Sequence, residues 1–435
     1  MFAHYFHLAL RSFRRNKAIT ALMVLAIALG IGACMTTLTV FHVLSGDPVP
    51  DRSSRLFHPQ LEPRSKSGYV KGEEPPVQLT RFDAEKLLRD RKGDRQAMMT
   101  GGQVAVTPQQ TNIEPFISNA RFTSADMFPL FAMPFQFGRG WSGADDEGHA
   151  RVAVLSRDLN QRLFAGENSV GRTVRFDKTD FTVIGVLDDW RPTPKFYDMF
   201  GARGYGQTEG LYLPFSTAVE LKMQRSGSMD CWDADTTGDS TSLNAPCVWI
   251  QYWVQLDTPA KKAAYLQYLG NYSDQQRAAG RYQRPTIVKL RNVREWMEFH
   301  HVLPSDVTMQ MWLALAFLAV CLLNTIGLLL AKFLRRGGEI GVRRALGATR
   351  GAIFRQLMME AGTIGLAGGL LGLGFAWLGL WAVRHQPVDY ADLARLDPSM
   401  LLLTFLIAIA CSLLAGALPA WRAMQITPAV QLKAQ

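Results

Sequence analysis

Residues 309–360 read MQMWLALAFLAVCLLNTIGLLLAKFLRRGGEIGVRRALGATRGAIFRQLMME, an apolar run that ends in a basic, glycine-containing turn and then becomes apolar again. The run Met309–Ala331 is long enough to cross a bilayer core of about 30 Å, which takes about 20 apolar residues. Three further runs of this kind are Ala18–Leu44, Leu357–Val383 and Met400–Trp421. Between the first two lies a polar stretch with no comparable run. The pattern predicts an α-helical membrane protein with four transmembrane helices in a 1+3 arrangement. A large α+β domain is inserted between helices 1 and 2.

The expected order is an amphipathic helix at 1–17, a span at 18–44, the inserted domain at 45–306 and a span at 307–331. A loop at 332–356 follows, then a span at 357–383, a short loop at 384–399, a span at 400–421 and a tail at 422–435. In the first segment Phe2, Tyr5, Phe6, Ala9, Leu10 and Phe13 share one helical face, which suits a helix lying in the headgroup plane. The basic lead-in to the first run resembles a secretory signal. However, the run far exceeds a cleavable core of roughly 7–15 residues and no small-residue cleavage site follows, so a retained anchor is expected.

The formal net charge of +10 suggests nucleic acid until it is sorted by segment. Segments 1–17, 332–360 and 422–435 together hold 13 basic and 2 acidic residues, whereas 46–306 holds 32 of each sign. The excess basic charge therefore abuts the spans on one side, as the positive-inside rule requires. Both termini and loop 332–356 are assigned to the cytoplasm and the inserted domain to the periplasm of a bacterial inner membrane. Nucleic acid is not an expected partner; membrane lipid is.

Within 45–306, Phe82–Arg91 reads as a helix, and Val104–Thr107 and Pro115–Phe122 as strands. Ala150–Leu155 reads as a strand leading to a helix capped by Ser156. Thr173–Phe176 and Phe181–Leu187 form a hairpin. Val248–Leu256 alternates as a strand with one buried face, followed by a helix at Pro259–Leu269 and a strand at Thr286–Leu290. The Gly-, Pro- and Ser-rich stretch 191–247 suggests a lobe inserted into a core of about 50–190 and 248–300. In that stretch Cys231 and Cys247 are the two cysteines outside the spans. An oxidising periplasm lets them pair, and closing a loop of about 15 residues contributes roughly 3 kcal/mol. Neither a histidine beside that loop nor alternating oxygen ligands at Asp145-Asp146-Glu147 or Asp188-Asp189 support a metal site, and none is expected.

In the turn between spans two and three, Gly337-Gly338 is expected to break the helix, and EIGVRRALGA to form a short one. Ile340, Ala345 and Leu346 would face the membrane or neighbouring helices, and Glu339, Arg343 and Arg344 outward. Gly347 fits a terminating position. Glu360 is expected at the cytoplasmic boundary beside Arg355 or Arg343. Small residues at four-residue spacing, Gly365/Gly369, Gly368/Gly372 and Ala408/Ser412/Gly416, allow close helix approach within the chain or between copies. Two readings of the turn fit these residues: a basic loop obeying positive-inside, or a rigid helix that fits a partner's cleft and carries a push into the spans.

RRGGEIGVRRALGATRGAIFRQLMMEA resembles the loop between the second and third spans of the MacB/FtsX (type VII) family of ABC-transporter permeases. PAWRAMQITPAVQLK resembles that family's C-terminal end, and ALRSFRRNKAITALMVLAIALGIGA its entry. ISNARFTSADMFPLFAMPFQFGRGW with RVAVLSRDLNQRLFAGENSVGRTVRFDKTDFTVIGVL is similar to the MacB-type periplasmic core. The resemblance implies a noncatalytic permease subunit. It couples ATP hydrolysis in a cytoplasmic ABC ATPase to motion of the periplasmic domain, for efflux or release of a periplasmic substrate (mechanotransmission). Glu339, Ile340, Gly341, Arg343, Arg344, Ala345, Leu346, Gly347 and Ala348 match the coupling motif. Pro419, Ala420, Trp421, Arg422 and Pro428 match the segment near the same ATPase face.

The chain contains no G-x-x-x-x-G-K-[ST], so ATP and Mg are expected on a separate ATPase and no cofactor in this chain. The resemblance also implies dimerisation with a second copy or a related permease, and use of a periplasmic adaptor and an outer-membrane duct. An FtsX-like regulator of a cell-wall hydrolase and a lipoprotein-extraction permease are the alternatives; a membrane enzyme is the weakest.

Overall fold

The computed structural model describes residues 17–109, 113–199, 204–233, 238–303, 305–387, 390–394 and 398–425. The amphipathic segment expected at 1–17 therefore lies almost wholly outside the described residues. The chain divides into two compact units, residues 1–46 with 303–435, and residues 47–302.

Among the described residues the first unit has four helices long and apolar enough to cross a membrane: Lys17–Ser45, Ser305–Leu334, Arg350–Arg384 and Pro398–Met424. Met23, Ile27 and Ile31 of the first span, Leu318 and Leu329 of the second, Leu357 and Ile364 of the third, and Ala408 and Cys411 of the fourth form one buried cluster. Leu22, Trp312, Leu323 and Trp377 are exposed on the opposite faces, as a lipid-facing surface requires. The glycine stripes of the third span are used inside the chain. A Cβ on Gly365 would collide with Ser412 of the fourth span, and one on Gly368 would meet Ile27 of the first at 2.7 Å. Close backbone approach also allows Ser412 Oγ to donate to the Ala361 carbonyl (3.0 Å).

The second unit is built on one sheet whose thirteen described strands are β1 (Leu56–Leu61), β2 (Leu79–Thr80), β3 (Arg95–Thr107), β4 (Phe116–Thr123), β5 (Phe135–Gly138), β6 (Val152–Leu155), β7 (Thr173–Phe176), β8 (Thr179–Leu187), β9 (Leu211–Pro214), β10 (Arg225–Ser226), β11 (Asp230–Cys231), β12 (Cys247–Gln255) and β13 (Val288–Asn292). The main path runs β13-β1-β12-β3-β4-β9-β6-β8-β5. Side chains alternate between two clusters: Met98 and Val104 of β3 enter one, and Ala97 and Met99 the other. β12 is buried along eight of its nine residues, so its alternation does not mark an open face. Tyr265 and Leu269 of the helix Pro259–Ala278 share one cluster with β12, and Trp296, Phe131 and Phe196 pack with Trp253 in the other. That helix runs on past the expected Leu269, through Gly270, to Ala278, and Gly280 just beyond it sits at φ +79°.

The expected lobe at 191–247 does not separate. Leu211, Tyr212 and Leu213 are fully buried in β9, which pairs parallel to β4 and antiparallel to β6 in the middle of the sheet. β10 and β11 from the same stretch pair with β3 and β12. An ion cluster fastens the remainder. Buried Arg121 of β4 donates from Nε to Glu209 (2.9 Å) and from Nη2 to Asp198 (2.5 Å). Lys195 Nζ (2.7 Å) and Tyr197 Oη (2.9 Å) also donate to Glu209. Burial alone would raise the Glu209 carboxyl, but Arg121 and Lys195 outweigh it and hold the pKa at about 2.

Ser156 caps its helix as expected, accepting from the Leu159 amide at 3.2 Å. β7 and β8 form the expected hairpin, with Asp177 at φ +52° in the turn. Cys231 and Cys247 are disulfide-bonded as directly opposed residues of β11 and β12. Replacing both with serine is expected to lower the unfolding free energy by roughly 3 kcal/mol. Chemical denaturation of the full chain in detergent, with and without reductant, measures this; reductant should leave the double variant unchanged.

His58 of β1 is buried, stacked on Trp296 (ring centroids 3.9 Å apart) and edge-on to Trp253 (5.3 Å). Burial, then His300 and Arg291, hold its imidazole well below the ordinary range. Burial, then Arg291 and His301, bring His300 down to about 4. The unfolded chain therefore takes up protons near pH 6.5, before the folded one does, and stability is lost as pH falls from there toward about 4. Tryptophan fluorescence during thermal unfolding should show this decline, and it should be shallower in His58→Phe.

Candidate functional site

The second span ends at Leu334, and the turn comes two residues earlier than the glycine pair. Arg335 and Arg336 close it through amide bonds to Ala331 and Phe333 (both 3.1 Å). Gly337 and Gly338 are instead the first residues of the short helix Gly337–Ala345. The helix ends as Gly347 was expected to end it. The Gly347 amide donates to Arg344 O (3.1 Å) and the Ala348 amide to Arg343 O (3.0 Å), a Schellman arrangement with Gly347 at φ +100°. Thr349 then caps the third span, its hydroxyl accepting from the Ala352 amide at 3.2 Å. Three residues thus separate the end of one helix from the start of the next helix's cap, which makes a rigid corner.

Ile340 and Gly341 are buried, as is Gly337. Of the two positions open to them, Ala345 and Leu346 do not pack on neighbouring helices of this chain. Ala345 is exposed and Leu346 is 83% exposed, because five and six residues beyond Ile340 a helix has turned by about 140° and 240°. Val342, which the motif reading omitted, is exposed beside Leu346 at i,i+4 spacing. The outer face is therefore Glu339, Val342, Ala345 and Leu346.

The two arginines expected to point outward are half-buried braces. Arg343 bonds Glu339 (3.1 Å) and Gln356 of the third span (2.9 Å), and Arg344 Nη1 reaches the Met424 carbonyl at the end of the fourth (3.4 Å). That last contact joins the two segments singled out in the sequence. In the fourth span Pro419 and Ala420 are buried while Trp421 and Arg422 are exposed; Pro428 lies outside the described residues.

Glu360 is not beside Arg355 or Arg343. Its carboxylate is buried and holds Lys332 Nζ at 2.7 Å on one oxygen and Arg336 Nη1 at 3.0 Å on the other. Lys332, fully buried, also donates to Thr20 Oγ1 of the first span at 3.2 Å. Sequence reasoning missed this cluster because Lys332 reads as an ordinary interfacial cation at the end of an apolar run.

An alanine at position 347 would have to hold a left-handed conformation, which costs an L-residue roughly 1–2 kcal/mol. Gly347→Ala is therefore expected to speed hydrogen exchange of amides 341–348 about tenfold in the full chain while leaving exchange in the spans unchanged.

Residues 20–272 match the MacB-like periplasmic core domain, and residues 311–428 the FtsX-like permease C-terminal region. The macrolide export ATP-binding/permease protein MacB of Marinobacter nauticus is 24% identical over 97% of this chain and 59% of its own length. That of Rhodospirillum rubrum is 25% identical over 100% of this chain and 61% of its own length. The chain thus spans about three fifths of these relatives. Among solved structures, the periplasmic region of MacB from Actinobacillus actinomycetemcomitans is similar over 59% of this chain and 96% of that one, at 15% identity and a TM-score of 0.37.

Proposed function

The chain belongs to the MacB/FtsX-type family of ABC-transporter permeases, and we propose that it is the membrane subunit that turns ATP hydrolysis by a partner ABC ATPase into motion of its periplasmic domain. The observation that carries this reading is the short helix Gly337–Ala345, closed at one end by Gly347 and braced by Arg343 and Arg344. It presents Val342 and Leu346 to solvent on the side where basic residues accumulate. An exposed apolar pair on an immobilised helix gains free energy only when a partner covers it. The positive-inside distribution places that helix and both termini in the cytoplasm and the 47–302 unit in the periplasm of an inner membrane.

Work done at this helix serves efflux or release of a periplasmic substrate by mechanotransmission. The names of the relatives, which export macrolides and combine ATP-binding with permease function, support an export role. The subunit works as a dimer with a second copy or a related permease, and a periplasmic adaptor and outer-membrane duct complete the route. ATP and Mg are bound by the ATPase.

The test is gentle detergent purification of the full chain from its host, followed by mass spectrometry of the proteins captured. An ABC ATPase is expected to accompany the wild-type chain. Val342→Glu with Leu346→Glu removes two apolar contacts worth more than about 1.5 kcal/mol each, so capture should fall at least tenfold. Undiminished capture by the double variant would sink the docking assignment, and recovery of a cell-wall hydrolase in place of an ATPase would sink the transport reading.

A further inference from the structure

We infer that Glu360 is a positioning residue: its carboxylate ties the root of the short helix to three membrane spans, so that displacement of the helix moves the spans as one body. This rests on the ATPase-coupling reading above. Arg336 is the residue immediately ahead of the short helix, and Lys332 lies in the last turn of the second span. One carboxylate of the third span accepts from both, at 3.0 and 2.7 Å, and Lys332 reaches the first span at Thr20.

Ionised groups in the interior of a helix bundle are costly and are kept where they have a task. Apolar side chains of similar volume would hold the same helices together, often at least as well. What they would not do is fix direction. Packing permits a helix to slide or roll against its neighbour, whereas two charge-assisted hydrogen bonds to separate oxygens fix both position and rotation. The short helix otherwise enters the bundle through Ile340 and the glycines at 337 and 341, a narrow contact that allows roll. Arg343, bonded to Gln356, supports the far end of the helix, and Glu360 the near end.

The experiment uses the full chain in lipid nanodiscs, with Cys34, Cys321 and Cys411 replaced by alanine. Spin labels go on Leu22→Cys in the first span and Ala345→Cys on the outer face of the short helix. Pulsed dipolar spectroscopy is expected to give a narrow distance distribution, which Glu360→Gln and Arg336→Gln each broaden at least about twofold. The triple variant Lys332→Met/Arg336→Met/Glu360→Met removes all three buried charges together. It should retain the wild-type thermal midpoint and, in the chain without the labelling cysteines, still capture the ATPase, while the labelled form keeps the broad distribution. Stimulation of the captured ATPase should be at least about fivefold lower.

A narrow distribution in Glu360→Gln, or a triple variant with wild-type distribution and stimulation, overturns the inference and leaves the cluster a packing element. Failure of the wild-type chain to capture an ATPase would overturn the coupling reading alone, because the distance measurement decides the tie without any partner.

Discussion

A carboxylate that accepts from two cations inside a bundle of apolar helices constrains everything around it. Glu360 can be buried only because Lys332 and Arg336 arrive at its two oxygens, and they arrive only if the second span ends where it does. Arg336 lies one residue before the short helix, so the same requirement sets where that helix starts. Its far end is set by a different device, the left-handed Gly347, which lets two amides return to the carbonyls of the last turn. Between these two anchors the helix has little freedom to rotate. Its outward face is consequently a fixed surface of Val342, Leu346, Ala345 and Glu339.

This changes the roles within the motif. Arginines in a solvent-side loop suggest direct recognition of a partner, yet Arg343 and Arg344 are spent on Gln356 and the Met424 carbonyl. The two arginines hold the helix, and apolar Val342 and Leu346 are left exposed. The division is physically sensible, since an exposed ion pair across an interface contributes little while a desolvated apolar contact contributes much. The glycine stripes of the third span divide in a similar way. Their close approaches are to the first and fourth spans of the same chain, so the bundle is held by backbone proximity along that helix and by ions near its first turns, at Glu360.

The 47–302 unit obeys the same logic with different means. Its sheet is covered on both faces, and the short strand β9 closes the gap between β4 and β6. Arg121, Glu209 and Asp198 then pin the chain that leads into β9. Replacing Arg121 would leave the buried Glu209 carboxylate with Lys195 and Tyr197 alone, and replacing Glu209 would leave the buried Arg121 guanidinium with Asp198 alone, so the cluster specifies this path of the chain as well as stabilising it.

Local properties were written plainly in the sequence. Hydrophobic length alone placed four spans, charge counting sorted the segments, Ser156 marked a helix start, and the spacing of Cys231 and Cys247 anticipated a bridge. Each of these depends on neighbours a few residues away or on composition. Distant partners were not legible: Glu209 is 88 residues from Arg121, and Glu360 is 24 from Arg336. β9 was hidden because three apolar residues in a glycine-rich stretch carry too little periodicity to declare a strand. The outward turn of Leu346 was masked by its apolar character. Hydrophobicity states what a residue would gain from burial, and only the packed fold decides whether anything is there to bury it.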